Sequence, residues 1–260
     1  MELSENLGVS MEEYITIKNA NYEIRFPKRL ERYIEEVLAY STTKLKEYLQ
    51  FFNEDSYGSI IKVSFLLTRE DFIKRLKEVA FSNAHILPNW SQWAEGSFCG
   101  NEVQILLEEE NPYKRFYTLA HETFHLLFIK FIYEKNNWNR IIWLDESLAG
   151  NFDGTTADLI KHNIFPNIIS RYVNTPNFPC MNEIDLTTNV RTSAYNTYEL
   201  FKIVGRYLIE TKTPNELFDY INNIEAITKD SKTILEESLT YFSKQYQLHP
   251  RILRKSEPNL

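Results

Sequence analysis

Two histidines four residues apart bracket a glutamate in the stretch His121-Glu122-Thr123-Phe124-His125, inside a long apolar run. On an α-helix, residues four apart share a face, about one turn apart. Both imidazoles can therefore point at one metal ion. Glu122 lies beside them, within reach of a water at the ion but out of line with the two rings. This is the geometry of the H-E-x-x-H motif, in which two histidines hold zinc and the glutamate serves as general base.

Zinc in a catalytic site takes three protein donors and keeps one position for water. Glu146 follows His125 by 21 residues. That is enough chain to finish one helix, turn through Asn136-Asn137-Trp138-Asn139 and begin another. The run Trp143-Leu144-Asp145-Glu146-Ser147-Leu148-Ala149 reads as that second helix, stopped by Gly150. Asp145 competes for the same role, but adjacent helical residues face about 100° apart. Leu148 and Ala149 follow Glu146 as a small apolar face able to pack on the first helix, which favours Glu146. Asp145 and Asp153 are then candidates to accept a hydrogen bond from an imidazole N–H.

These side chains need elements to hold them. Asn111-Pro112 reads as a helix start, with Asn111 as N-cap and Pro112 at the first helical position. From there to about Tyr133 no Gly or Pro interrupts, and Phe116, Leu119, Ala120, Phe124, Leu127, Phe128 and Phe131 recur at helical spacing. A helix this apolar is buried along most of its length. Two histidines and a glutamate within it need partners, because unpaired buried polar groups are costly. Zinc is one such partner. The competing arrangement is a pair of core histidines bonded to backbone carbonyls, with Glu122 at the surface.

With the metal residues in hand, the chain resembles the gluzincins. More closely, it is similar to the small peptidase MA-like metallohydrolases, which carry an H-E-x-x-H helix and a W-L-x-E-x-x-A helix. The likeness spans about residues 60–220. Trp93-Ala94-Glu95-Gly96-Ser97-Phe98 through Ile105-Leu106 resembles the family's Gly-containing turn and edge strand. Ala194-Tyr195-Asn196-Thr197-Tyr198 resembles its later helix, which begins with a tyrosine. Ser147 departs from the family, where Gly is common after the glutamate. The resemblance implies a zincin-like α+β fold and a zinc metallopeptidase with His121, His125 and Glu146 as Zn2+ ligands. It implies Glu122 as base and Tyr195 as oxyanion donor, with Tyr198 one turn on as the alternative. A peptide or protein substrate is expected to lie antiparallel to the strand around Phe98–Leu106, on Gly96, Phe98 and Gly100, by β-augmentation. Two other readings compete: a non-catalytic interaction module that keeps zinc structurally, and a zinc hydrolase of a non-peptide amide. Glu122 argues for an enzyme, since a structural site has no use for a base there.

Composition bounds the rest. The 260 residues can bury a sizeable core. Hydrophobic content of 43% and aromatic content of 14% mark a globular chain. A net charge of −7 argues against a nucleic-acid footprint and against anionic membranes. No basic, apolar leader opens the chain and no apolar run approaches a membrane span, so a cytoplasmic protein is expected. Cys99 and Cys180 form neither a zinc-knuckle spacing nor a disulfide framework, and Cys99 reads as a packed thiol.

Along the chain, residues 13–26 alternate around Asn19-Ala20-Asn21 as a β-hairpin. Pro27 opens a helix to about Phe52. Ile60–Leu67 reads as a strand, Arg69–Ala80 as a helix, and Phe98–Leu107 as one strand. Glu108-Glu109-Glu110 is placed to cap the metal helix. Residues 151–191 read as a loop with short helices. Thr213-Pro214-Asn215-Glu216 is a capping box, and Asp230 is expected to cap a helix to about Tyr246. The expected organisation is an N-terminal α+β lobe, residues 1–135, and a helical lobe, residues 136–260, with a metal cleft between them. His85, His162 and His249 are left without a role.

Overall fold

The computed structural model describes residues 12–80, 89–92, 94–99, 102–107, 111–173, 175, 178, 180–184 and 195–248. The protein is a mixed α+β structure that divides into two compact units. One comprises Met1–Thr42 with Gly58–Leu119, the other Thr43–Tyr57 with Ala120–Leu260.

The first unit holds β1 (Tyr14–Lys18), β2 (Tyr22–Pro27), the first half of α1 (Glu31–Phe51), β3 (Ile61–Leu66), α2 (Arg69–Val79), β4 (Gly96–Cys99) and β5 (Glu102–Leu106). The strands form one sheet in the order β1-β2-β3-β5-β4. The β1–β2 hairpin forms where expected, and Asn19 explains its turn. Its Oδ1 accepts from the backbone N–H of Asn21 at 2.8 Å and of Tyr22 at 2.7 Å. Tyr22, Ile24 and Phe26 are fully buried, while Arg25 between them is exposed. β3 runs parallel to both β2 and β5. It buries residues on both faces, as a parallel strand in mid-sheet must.

Helix α2 begins at Thr68, whose hydroxyl accepts from Asp71 N–H. It packs Phe72 and Leu76 against Leu66, with Leu106 and Cys99 alongside, so Cys99 is the packed thiol expected of it. Arg75 forks onto buried Glu102, Nε to Oε1 at 2.9 Å and Nη2 to Oε2 at 2.5 Å. That bidentate pairing supplies the partner a buried carboxylate needs.

One expectation changes here. Phe98–Leu107 is not a single strand. Cys99 pairs with Glu102 and Gly96 with Ile105, so the segment folds back as the antiparallel pair β4–β5. β4 is one edge of the sheet and β1 the other, and β5 lies inside. The sequence carries a turn signal between the two strands, the Gly100-Asn101 pair, which the single-strand reading passed over.

The second unit is helical. It contains the second half of α1, α3 (Thr118–Phe128) from Ala120 onward, α4 (Ile142–Phe152), α5 (Thr155–Lys161), α6 (Phe165–Tyr172), α7 (Thr197–Thr211), α8 (Pro214–Ile221), α9 (Ile224–Asp230) and α10 (Ile234–Gln245). Beyond α3 the chain continues as a π-helical segment, Ile129–Glu134. The spacing of apolar residues on α3 is realised as core. Phe124 stacks on Phe152 at 5.1 Å and meets Tyr48 edge-on at 5.2 Å, and Leu119, Ala120, Leu127 and Phe128 are fully buried. The α8 capping box forms as expected between Thr213 and Glu216.

Three boundaries differ from expectation. Asn111 makes no side-chain cap. It precedes a 3-10 turn, Pro112–Arg115, and α3 starts only at Thr118. Within the first unit Phe116 packs with Tyr40 and Tyr113, and this aromatic cluster sets the chain path ahead of the helix. Gly150 does not stop α4, which runs on to Phe152; Gly150 lies opposite the Lys202 side chain of α7. Asp230 ends α9 rather than starting a helix, because Asn223 already caps α9 by accepting from Ala226 N–H at 3.0 Å.

The most extensive helix pairing in this unit is α4 with α7. Gly205 permits it, since a Cβ there would overlap the Ser147 carbonyl oxygen. The obstacle is backbone of the helix that carries Glu146, so it cannot swing aside. Gly205→Ala is expected to cost roughly 1–3 kcal/mol or more through forced separation of the helices. A lowered urea midpoint at unchanged m-value measures it, and an unchanged midpoint would contradict it. Among the described residues no helix is long and apolar enough to cross a membrane.

Candidate metal centre

Helices α3 and α4 bring His121, His125 and Glu146 together. One ligand atom from each lies within 4.8 Å of the others. The Nε2 atoms of the two histidines are 3.0 Å apart. Glu146 Oε2 stands 3.5 Å from His121 Nε2 and 3.6 Å from His125 Nε2.

The other ring nitrogens determine what those atoms are. His121 Nδ1 donates to Asp153 Oδ2 at 2.9 Å, and His125 Nδ1 donates to Asp145 Oδ1 at 2.7 Å. A proton committed to Nδ1 leaves Nε2 as an acceptor. Two imidazole lone pairs and a carboxylate oxygen therefore converge with nothing but acceptors facing one another. A proton or a metal cation completes such a set, and it can hold a metal ion. Metal–donor bonds of about 2.0–2.1 Å in a tetrahedron place donors ~3.3 Å apart, and the three observed separations bracket that edge.

Both outer carboxylates are themselves anchored. Asp153 Oδ1 accepts from Thr155 N–H at 2.6 Å, at the start of α5. Asp145 is fully buried, and its Oδ2 accepts from Arg140 Nε. Arg140 also reaches Glu146, Nη2 to Oε1 at 3.1 Å. Arg140 was invisible to motif reasoning. The only signal for it was a cation five and six residues ahead of two acids. Asp145 stands outside the converging group, because α4 turns its carboxylate toward His125 Nδ1.

Glu122 is also buried, at 8% exposure, yet it stands outside the ligand set. Among the described residues no side chain hydrogen-bonds it. Burial raises its carboxyl above the ordinary glutamate range, with the charges of His125 and His121 pulling it back. Glu146 is the opposite case. Burial opposes its ionisation, but His125, His121 and Arg140 hold it well below the usual carboxylate range. Two neighbouring glutamates are thus pushed apart in pKa, the pattern that separates a proton carrier from a fixed anion.

The imidazoles titrate high. Burial pushes His121 down, but hydrogen bonds to Asp153 and Glu146 overrule it and raise it to about 10. At His125 burial is overruled by the charges of Asp145 and Glu146, which raise it to about 9. Folded values above the unfolded ~6.5 mean that the protonated rings stabilise the metal-free protein fully below that pH. This stability is lost as pH rises through about 9 and 10. Chelator-treated protein should therefore lose denaturation midpoint across that window. Metal-loaded protein should not, because an ion takes neutral imidazoles. Denaturation at a series of pH values checks this, and identical profiles with and without metal would contradict it.

The remaining expected site residues are placed as follows. Tyr195 sits one residue ahead of Asn196, which caps α7, and its ring lies 6.4 Å from that of Phe178. Tyr198 is in the first turn of α7, against Phe201. Gly96 and Phe98 lie on β4. Gly100 falls outside the described residues, as do Glu108-Glu109-Glu110, His85 and His249. His162 is exposed at the end of α5, 3.5 Å from Asp158. Set against protein-family models and curated proteins, the chain matches none.

Proposed function

We propose that this protein is a zinc-dependent metallopeptidase of gluzincin type on a zincin-like fold, acting on peptides or proteins. The observation that carries the reading is a buried glutamate without a hydrogen-bond partner among the described residues, set beside three converging metal donors but excluded from them. A zinc ion held by His121, His125 and Glu146 would supply Lewis acidity toward a substrate carbonyl and acidify water. Glu122 takes a proton from the attacking water and returns it to the leaving amine, a task its raised carboxyl pKa suits. Asp145 and Asp153 hold the imidazoles in the Nδ1–H tautomer and in orientation. Tyr195 is assigned to the oxyanion, supported by its place at the start of the helix that packs on α4. The edge position of β4 supports strand addition by a peptide, with Gly96 and Phe98 on that strand.

The test is metal content of the purified chain together with cleavage of a mixed peptide library. Zinc near one per chain, hydrolysis abolished by a chelator and restored by stoichiometric zinc are expected. Bound zinc with no cleavage would overturn the peptidase reading in favour of a silent interaction module. Cleavage only of non-peptide amides would move the activity to that substrate class.

A further inference from the structure

We propose that Arg140 is a positioning residue that makes Glu146 a one-oxygen ligand. The inference rests on the cluster holding a metal ion, but not on peptide hydrolysis.

The two oxygens of Glu146 are divided between different partners. Oε2 faces the histidine Nε2 atoms at 3.5 and 3.6 Å, while Oε1 accepts from Arg140 Nη2 at 3.1 Å. Asp145 is divided in the same way, Oδ1 on His125 Nδ1 at 2.7 Å and Oδ2 on Arg140 Nε. One planar guanidinium therefore engages two consecutive carboxylates, which an α-helix on its own would aim about 100° apart. It orients the ligand glutamate directly and His125 through Asp145. Arg140 Nη2 also lies 3.4 Å from His125 Nδ1, so the guanidinium fills the space on that side of the cluster.

A carboxylate can bind a metal through one oxygen or two. With Oε1 engaged by a charged donor, Glu146 offers one. The three residues then contribute three donor atoms and leave a coordination position for a small molecule. Without the guanidinium, Glu146 is free to turn both oxygens inward, adding a donor beside the small molecule and raising the coordination number from four to five.

The side chain of Arg140 is 42% exposed. Away from the carboxylates it lines a cavity of about 260 Å³ with Ile141, Trp143, Met181 and Ile227. An unbranched apolar replacement fits those surroundings, so Arg140→Met tests the interaction without creating a buried void.

The experiment loads wild type, Arg140→Met and Arg140→Lys with one equivalent of Co2+ and records the visible absorption. Four-coordinate cobalt absorbs strongly and higher coordination weakens it. Wild type is expected to show the strong, four-coordinate intensity. Arg140→Met should fall roughly threefold or more in molar absorptivity. Arg140→Lys should be intermediate, since a point charge cannot fork onto both carboxylates. Equal absorptivity in wild type and Arg140→Met, both fully loaded, would overturn the proposal. Should Arg140→Met fail to fold or to take up cobalt, Arg140→Lys decides: reduced absorptivity supports the proposal and wild-type absorptivity overturns it. Wild type that binds no cobalt or zinc removes the metal reading itself, a different failure from unchanged spectra. Loaded protein that shows these shifts but cleaves nothing leaves Arg140 in place and removes only the peptidase.

Discussion

Glu122→Gln should leave bound zinc at wild-type level and lower peptide hydrolysis by roughly 10²–10⁴-fold. The amide has the shape of the carboxylate but cannot take a proton from water. Metal content is unaffected because the three converging donors do not include Glu122. Folding is spared as well. Among the described residues the carboxylate makes no hydrogen bond that the amide would lose, and burial already disfavours its charge. The wild-type pH profile gives a second handle. Because burial raises the Glu122 carboxyl, the acid limb of kcat/KM should lie above the ordinary glutamate range and should vanish with the residue. Zinc analysis, turnover and thermal unfolding on the one variant separate these effects. Wild-type cleavage by Glu122→Gln would remove the proposed base.

His125→Ala acts on a different link. It deletes one of three donors and strips buried Asp145 of its imidazole partner, leaving Arg140 as its side-chain partner among the described residues. Loss of an outer partner of a metal ligand costs about 10–100-fold in affinity. Loss of the ligand itself should exceed that, so zinc is expected to be removed by dialysis that leaves wild type loaded. Metal-free stability should fall by roughly 1–3 kcal/mol, from the Asp145 oxygen that loses its imidazole donor and the space vacated. Zinc retained at one per chain by this variant would mean that the ion sits elsewhere.

The two experiments draw on features of unequal legibility. Helix α3 was readable because its apolar residues recur every three to four positions, and that same repeat puts His121 over His125. The ligand set followed from spacing within two short segments. The β1–β2 hairpin, β3, α2 and the Thr213–Glu216 box were readable for the same reason: each is decided by residues within a few positions of one another.

Where distant segments compete, the local signals fail. Asn111 has the right chemistry for a cap, but Tyr113 and Phe116 pack with each other and Phe116 with Tyr40, and α3 begins at Thr118. Gly150 looked like a helix stop; packing against α7 carries α4 through it, while Gly205 in α7 provides the close approach. Phe98–Leu107 read as a single strand although Gly100-Asn101 is a turn pair, and the pairing of Cys99 with Glu102 shows two strands.

The residues able to grip an ion were written into the order of amino acids, through helical periodicity and the i, i+4 rule. Which carboxylate meets which imidazole was not. Asp145 on His125, Asp153 on His121 and Arg140 across Asp145 and Glu146 are matters of how α3, α4 and the start of α5 are packed and rotated. Periodicity sets which face a helix buries; only contact between helices sets what that face touches.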